Sequence, residues 1–166
     1  MAERKWIDDV CIENAELLPG QFKNFSGRES QFNRAGDRNF AVFIDDKEVA
    51  QKMIDDGWNV KIRQPRDEDE EPRYYIIVAV SFKVRPPKIT LITGRKQQQL
   101  TEENVAVLDD AEPKNVDLIL HPYLWGPLPD GKSGVKAYLK EMYFEQRVSP
   151  LGEKYAYLDI EADDEE

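Results

Sequence analysis

Residues 74–84 decide the fold and read Tyr74-Tyr75-Ile76-Ile77-Val78-Ala79-Val80-Ser81-Phe82-Lys83-Val84. Every second residue from Ile76 onward is apolar, whereas the residues between them are mixed in character and run from Tyr75 to Lys83. Because successive side chains of a strand point to opposite faces, this alternation predicts a strand. One of its faces should lie on the core, and the other should be partly open to water.

The segments around this strand predict a chain made mostly of further strands. They are residues 5–18, 40–44, 58–63, 88–93, 116–125, 135–148 and, as a short last strand, 155–158. Turn-forming residues at 129–134 join the two long strands and predict a hairpin. Two short helices are predicted, one capped by Asp45 or Asp46 and ended by Gly57, the other beginning at residues 101–104.

A predominance of strands, with only two short helices, defines the fold class. Few strands alternate with helices, which argues against a doubly wound parallel sheet. A small antiparallel barrel fits better, since closure removes exposed sheet edges. We therefore predict a mainly β fold, a barrel of the oligonucleotide-binding (OB) type, with one or two short helices and a long inserted loop. Residues 1–158 should form a single domain.

The net charge of −10 is unevenly distributed. Five acids fall in residues 67–71 and six in residues 159–166, and without these eleven the chain has 22 acids against 23 Lys and Arg residues. Such runs of like charge stay solvated, so residues 67–71 are predicted to be an exposed loop and residues 159–166 a disordered acidic tail. The remainder is close to neutral and can carry basic surfaces.

The cellular setting follows from segments that the sequence lacks. It has no apolar run of about 18 residues, which a membrane span requires, and its first residues lack the apolar stretch of a signal peptide. Cys11 is the single cysteine and can form no internal disulfide. We expect a soluble protein of the cytoplasm that has no contact with membranes.

Catalysis has little support in the sequence. His121 is the only histidine, and no nucleophile pattern accompanies it. Cys11 alone cannot build a zinc site, and residues 131–133 lack the earlier glycine of a phosphate-binding loop. A metal-dependent nuclease would need converging carboxylates, and no such set stands out. No enzyme activity, metal or cofactor is therefore expected.

Residues 21–40 are predicted to form a long loop in which aromatic and cationic residues alternate. Proteins that bind single-stranded nucleic acid combine cations for phosphates with aromatic rings on which bases stack. The candidate residues of this loop are Lys23, Phe25, Arg28, Phe32, Arg34 and Arg38. In the alternative interpretation, the phenylalanines tether the loop to the core and the arginines are merely solvated.

A second group of candidates lies on the predicted strands. Residues two apart share a face of a strand, which groups Lys61 with Arg63, Tyr123 with Trp125 and His121, and Lys136 with Tyr138 and Lys140. An outward face of this composition suits a groove for a nucleic-acid strand. An ordinary half-exposed sheet surface has a similar composition and is the alternative.

Several segments resemble the single-stranded DNA-binding proteins of tailed bacteriophages. They are Asn24-Phe25-Ser26-Gly27-Arg28-Glu29, Phe32-Asn33-Arg34-Ala35-Gly36-Asp37-Arg38-Asn39-Phe40, Asp55-Asp56-Gly57-Trp58-Asn59-Val60-Lys61, Pro86-Pro87 with Ile92-Thr93, and Ser133-Gly134-Val135-Lys136-Ala137-Tyr138-Leu139. The resemblance covers about residues 12–159. It implies an OB-type barrel, non-catalytic binding of single-stranded DNA, and a role in phage DNA replication or recombination in the host cytoplasm.

Two functional hypotheses follow. The first is sequence-tolerant binding of single-stranded DNA by a cationic groove with aromatic stacking, where the loop closes over the strand. In this hypothesis the acidic tail either folds back onto the groove as a nucleic-acid mimic or recruits replication or recombination proteins, and a tail that only aids solubility is the alternative. The alternative is an acidic protein-interaction module that inhibits or recruits a host protein.

Overall fold

The computed structural model describes residues 7–18, 23–30, 33–65, 67–83, 85–148 and 151. Its strands are β1 (Val10–Ile12), β2 (Lys23–Asn24), β3 (Arg38–Ile44), β4 (Val60–Arg63), β5 (Arg73–Val80), β6 (Lys88–Thr93), β7 (Lys96–Leu100), β8 (Pro113–Trp125) and β9 (Gly134–Gln146). One α-helix, α1 (Lys47–Asp56), follows β3, and a 3-10 helix covers Val105–Asp109. None of the helices described is long and apolar enough to span a membrane.

Strand β9 organises the sheet. The strand order is β1-β8-β9-β5-β3-β2, with β4 paired to β5, and β6 paired to both β7 and β9. β8 and β9 form the predicted antiparallel hairpin, whereas β5 and β6 both run parallel to β9. The mainly β fold is therefore confirmed. The sheet differs from the antiparallel barrel expected, because it contains parallel pairs and its path does not close over the described residues.

The core confirms the alternation that opened the sequence analysis. Ile76, Val78 and Val80 of β5 are buried, and they pack with Phe40 and Val42 of β3 in the main hydrophobic cluster. β8 and β9 add their own inward side chains to the same cluster. Each fully buried side chain of this size stabilises the fold by roughly 1.5–3 kcal/mol. One face of the sheet is thereby fixed as the inner face, and the opposite face is called the outer face below.

Helix α1 begins and ends as predicted. Asp46 is the N-cap, and its side chain accepts hydrogen bonds from the backbone N–H groups of Glu48 and Val49, which satisfies donors that the first turn leaves unpaired. Gly57 follows the last turn with φ of 98°, a left-handed conformation that glycine adopts without steric cost. Ala50 and Met53 face the core.

The first predicted strand, residues 5–18, is wrong in extent. Of its described residues, 7–18, the strand that pairs with β8 is Val10–Ile12, and the chain then turns at Asn14, whose φ is 53°. It continues along the free edge of β3, where the Leu18 N–H donates to the carbonyl of Ala41. A single predicted strand therefore pairs first with β8 and then with β3. The alternation of apolar residues does not reveal this change of partner.

Other boundaries also moved. The strand predicted to reach residue 84 ends at Val80, and the predicted helix after residue 101 is a turn followed by the 3-10 helix. The sequence analysis missed β7, because its glutamines show no apolar alternation. The last predicted strand, residues 155–158, and the acidic tail lie outside the described residues. The acidic segment 67–71 is an exposed turn.

Candidate nucleic-acid interface

The outer face can be followed from strand to strand by residue pairing. Asn39 of β3 pairs with Ala79 of β5, Ala79 with Tyr138 of β9, and Tyr138 with His121 of β8. Paired residues point to the same side of a sheet, so these four side chains form one row across the outer face. Core residues occupy the neighbouring rows on the other side.

An aromatic and cationic cluster stands beside this row on the β8–β9 hairpin. Tyr123 is 56% exposed and pairs with Lys136 across the hairpin. Its ring meets that of Tyr138 edge-to-face, with centroids 5.8 Å apart, and the Lys136 ammonium lies 5.3 Å from the Tyr138 ring centroid. This is the arrangement that single strands require, with ring faces for bases next to a cation for a phosphate.

A cleft of about 490 Å³ adjoins this cluster at the end of the hairpin. Trp125 contributes an indole that is 37% exposed, and Trp58, Asn59, Ile77 and Lys136 are among the other residues that line the cleft. We call this the tryptophan cleft. Lys136 belongs both to the cleft and to the cluster, so the two features form one continuous surface.

Gly134 allows the indole to lie where it does. It is the cross-strand partner of Trp125, and a Cβ atom at this position would lie 2.9 Å from the Cζ2 atom of the indole. Real Cβ atoms essentially never come that close, so any larger residue would displace the ring. The sequence analysis missed Asn59, Ile77 and Gly134. For Gly134, the register of the predicted hairpin could have indicated the role.

The two β4 cations are in different surroundings. Lys61 pairs with Tyr75 and points to the outer face. Arg63 lines a second cleft, of about 280 Å³, together with Asp67, Glu70 and Glu71. A second cation, Arg73, lines the same cleft, and the contact of Arg63 with DNA stays a prediction.

Two of the loop cations turn toward the inner face. Lys23 pairs with Phe40, and Arg38 with Val80, both of which are core residues. Burial lowers the pKa of Lys23, although Asp109, Asp110 and Glu112 oppose the shift, and its Nζ donates to the carbonyl of Ala111. Arg38 forms an ion pair with Glu102. Both cations therefore lie on the inner side of the sheet, away from the outer-face row.

Phe25 belongs to the core, which corrects the stacking role predicted for it. Its ring is fully buried and stacks on Phe40 with centroids 5.0 Å apart. The carboxylate of Asp109 accepts hydrogen bonds from the backbone N–H groups of Phe25 and Ser26, which anchors this part of the loop. For Phe25, the tethering alternative therefore holds. Phe32 lies outside the described residues.

The rest of the loop forms a scaffold that exposes Arg28 and Arg34. Asn24 binds both the N–H and the carbonyl of Arg28 through its amide. The amide of Asn33 donates to the carbonyls of Arg28, Arg34 and Asp37. Asn24 pairs with Asn39 of the outer-face row, so the scaffold extends from the margin of that face.

The structure thus divides the predicted site. It brings Tyr123, Trp125, Lys136 and Tyr138 together, with Lys61 on the same face and Arg28 and Arg34 exposed on the loop. Lys23, Phe25 and Arg38 lie on the core side, and Arg63 lies among acids. Among the described residues, no three His, Cys, Asp or Glu side chains form a metal-binding group.

Comparison with known proteins places this geometry in context. No curated protein matches the chain in sequence. Among solved structures, the chain is similar to the single-stranded DNA-binding protein from bacteriophage Enc34 in complex with ssDNA. The TM-score is 0.53 and the identity 12%, over 87% of this chain and 89% of that one. At this identity, the likeness shows a shared fold.

A second structure is more distant. The gp2.5 protein, a single-stranded DNA-binding protein encoded by bacteriophage T7, has a TM-score of 0.45 at 9% identity, over 89% of this chain and 97% of that one. The family model described as "Putative phage ssDNA-binding domain" matches residues 1–166. The chain therefore belongs to the phage single-stranded DNA-binding domain family.

Proposed function

We propose that this protein binds single-stranded DNA without strong sequence preference and acts, without catalysing a reaction, in phage DNA replication or recombination inside the host cell. The observation that carries the proposal is the exposed cluster of Tyr123, Lys136 and Tyr138 beside the tryptophan cleft. Membership in the phage family supports the choice of ligand.

The chemistry of the outer face explains tolerance of sequence. Every base has a π-face, so rings such as Tyr123 and Trp125 accept any base, with about 1–3 kcal/mol for each stack. Lys61 and Lys136 contribute charge for the sugar–phosphate backbone, and backbone contacts position a strand without reading its bases. The bound strand would cross β9 along these residues, with Arg28 and Arg34 at one margin.

His121 lies beside the proposed path of the strand. Its Nδ1 lies 2.7 Å from the Asp9 carboxylate, and the ring stands on the outer face opposite Tyr138. The proposal therefore assigns no residue to a chemical step.

The test is a titration of fluorescently labelled oligo-dT and of a matched duplex at low salt. We expect binding to the single strand and weaker binding to the duplex. A double variant, Tyr123→Ala with Trp125→Ala, should lose at least about fivefold in affinity if one stacked base is lost at about 1–3 kcal/mol. Its melting temperature should change little, because both side chains are substantially exposed.

Tyr143→Ala is the matched control. Tyr143 is also an exposed tyrosine, but it belongs to β9, where it pairs with Asp117 away from Tyr123 and Trp125, and its hydroxyl donates to Glu141. Its removal should leave affinity unchanged. Equal losses in the control and in the double variant would refute this interface, and no binding to oligo-dT by the wild-type protein would refute the function and favour the acidic interaction module.

A further inference from the structure

A cluster of three side chains stands on the outer face beyond the aromatic cluster. The Asp9 carboxylate is bound at one oxygen by Nδ1 of His121, at 2.7 Å, and at the other by Nζ of Lys140, at 2.6 Å. His121 and Lys140 keep 44% and 55% of their side chains exposed, so both can reach a ligand from solvent.

The sheet places this cluster next to the proposed path of the strand. His121 is the cross-strand partner of Tyr138. Lys140 is unpaired within the β8–β9 ladder, because Leu139 pairs with Leu120 and Glu141 with Ile119. This extra residue is a β-bulge, a device that redirects a side chain at functional sites. Here it brings the Lys140 ammonium to the same carboxylate as His121.

The Asp9 carboxylate occupies the position that a phosphate oxygen would take. Lysine and histidine are both suitable donors to a phosphate, and the carboxylate already lies within hydrogen-bond distance of both. Partial burial alone would raise the pKa of Asp9, but the hydrogen bonds from Lys140 and His121 outweigh it and hold that pKa below its usual value. At neutral pH, the group is therefore an anion that competes for these two donors.

We propose that Lys140 and His121 form a binding site for a backbone phosphate of single-stranded DNA, and that Asp9 occupies this site in the free protein and is displaced when DNA binds. This inference rests on the proposed function and extends it by one subsite. Asp9 can withdraw at moderate cost, because it lies in an irregular segment just before the three-residue strand β1.

The test compares two variants that remove the same charge. Asp9→Asn frees the two donors, whereas Asp55→Asn changes an exposed acid of α1, a helix that packs its buried face on the core. Asp9→Asn should bind oligo-dT about two- to fivefold more tightly at low salt, the size expected for one exposed ion pair. Asp55→Asn should give a distinctly smaller gain. Equal gains, or a loss in Asp9→Asn, would overturn the proposal.

Lys140→Ala, alone and combined with Asp9→Asn, tests the subsite by a double-mutant cycle. Alone it should weaken binding and reduce the salt dependence by about one phosphate contact, a change of about 0.7 in the log–log slope. Combined with Asp9→Asn, it should abolish the gain that Asp9→Asn gives. A gain that persists without Lys140 would overturn the subsite.

A measurement on the wild-type protein avoids any effect of the variants on folding. His121 is the only histidine in the chain, so its imidazole proton signals are unambiguous in NMR spectra. Adding oligo-dT should shift them in proportion to occupancy. DNA binding without any shift would refute the subsite and leave the proposed function intact, whereas no DNA binding at all would refute the function itself.

Discussion

At the scale of single residues, Gly134 offers the sharpest test of the tryptophan cleft. In Gly134→Ala, the new methyl group would lie 2.9 Å from the Trp125 indole, so the ring must move. We expect weaker binding to oligo-dT, by up to the about 1–3 kcal/mol of one stacked base, and an altered tryptophan emission spectrum. Melting should change little, because Trp125 is partly exposed.

A double-mutant cycle separates this effect from a general disturbance of the hairpin. If Gly134 acts through Trp125, Gly134→Ala should cost nothing further once Trp125→Ala is present, since coupled sites are not additive. Additive losses would mean that Gly134 affects binding by another route.

Individual residues also show where sequence reasoning reaches its limit. Lys23, Phe25, Arg28 and Arg34 belong to the same aromatic and cationic pattern. The structure nevertheless buries Phe25, leaves Lys23 half-buried and exposes the two arginines. Phe25 is held by Asp109, 84 positions away in the chain. Local pattern contains no information about such a contact, so the sequence could suggest the loop as a site but could not sort its members.

At the scale of elements, the loop between β2 and β3 should contribute to binding through its two exposed arginines. Arg28→Ala with Arg34→Ala should weaken binding to oligo-dT about two- to tenfold and make the salt slope shallower by about 1.4, or two phosphate contacts. The melting temperature should stay the same, because exposed charges add little to stability.

Arg95→Ala supplies the control for lost positive charge. Arg95 is exposed in the turn between β6 and β7, on a different hairpin from the proposed path. If its removal weakens binding as much as the loop variant does, the arginines act only through net charge and the loop is not part of the site.

Helices and strands were predictable where capping residues or apolar alternation within the segment itself determine the structure. The cap at Asp46 and the glycine at position 57 fixed α1, and alternation fixed β5 and the β8–β9 hairpin. β7 was not predictable from alternation, since its glutamines pair only through the backbone with β6. The parallel pairing of β9 with β5 and β6 was also missed. Which strands become neighbours depends on the path of the connections between them, and the composition of each strand does not determine that path.

At the scale of the whole molecule, a net charge of −10 must be reconciled with binding to a polyanion. The outer face resolves this locally, with Lys61, Lys136 and Lys140 on one surface. We therefore expect the affinity for oligo-dT to fall linearly with salt on a log–log plot, with a slope of about −0.7 for each phosphate contacted. A slope near zero would show that phosphates are not bound, and the cationic part of the mechanism would fail.

We propose that the acidic residues 159–166 form a segment separate from the binding domain and compete with DNA for its cationic surface. They include six acids and two apolar residues, a composition that favours solvation over burial. Being tethered to the same chain, they would compete with DNA for the cationic surface at high effective concentration. Deleting residues 163–166 should therefore tighten binding to oligo-dT at low salt.

Salt and a charge-matched variant decide whether that competition exists. The gain should shrink as ionic strength rises, since screening weakens attraction between exposed charges. Neutralising Asp67, Glu68, Asp69 and Glu70 removes an equal number of negative charges from the turn before β5. This variant should give a smaller gain in affinity, because the turn lies beside Arg63 in the second cleft. Equal gains in affinity from the truncation and from the neutralised turn would mean that only the net charge of the protein matters. Weaker binding after truncation would make residues 163–166 part of the bound complex, and no change at low salt would leave them to serve protein partners or solubility.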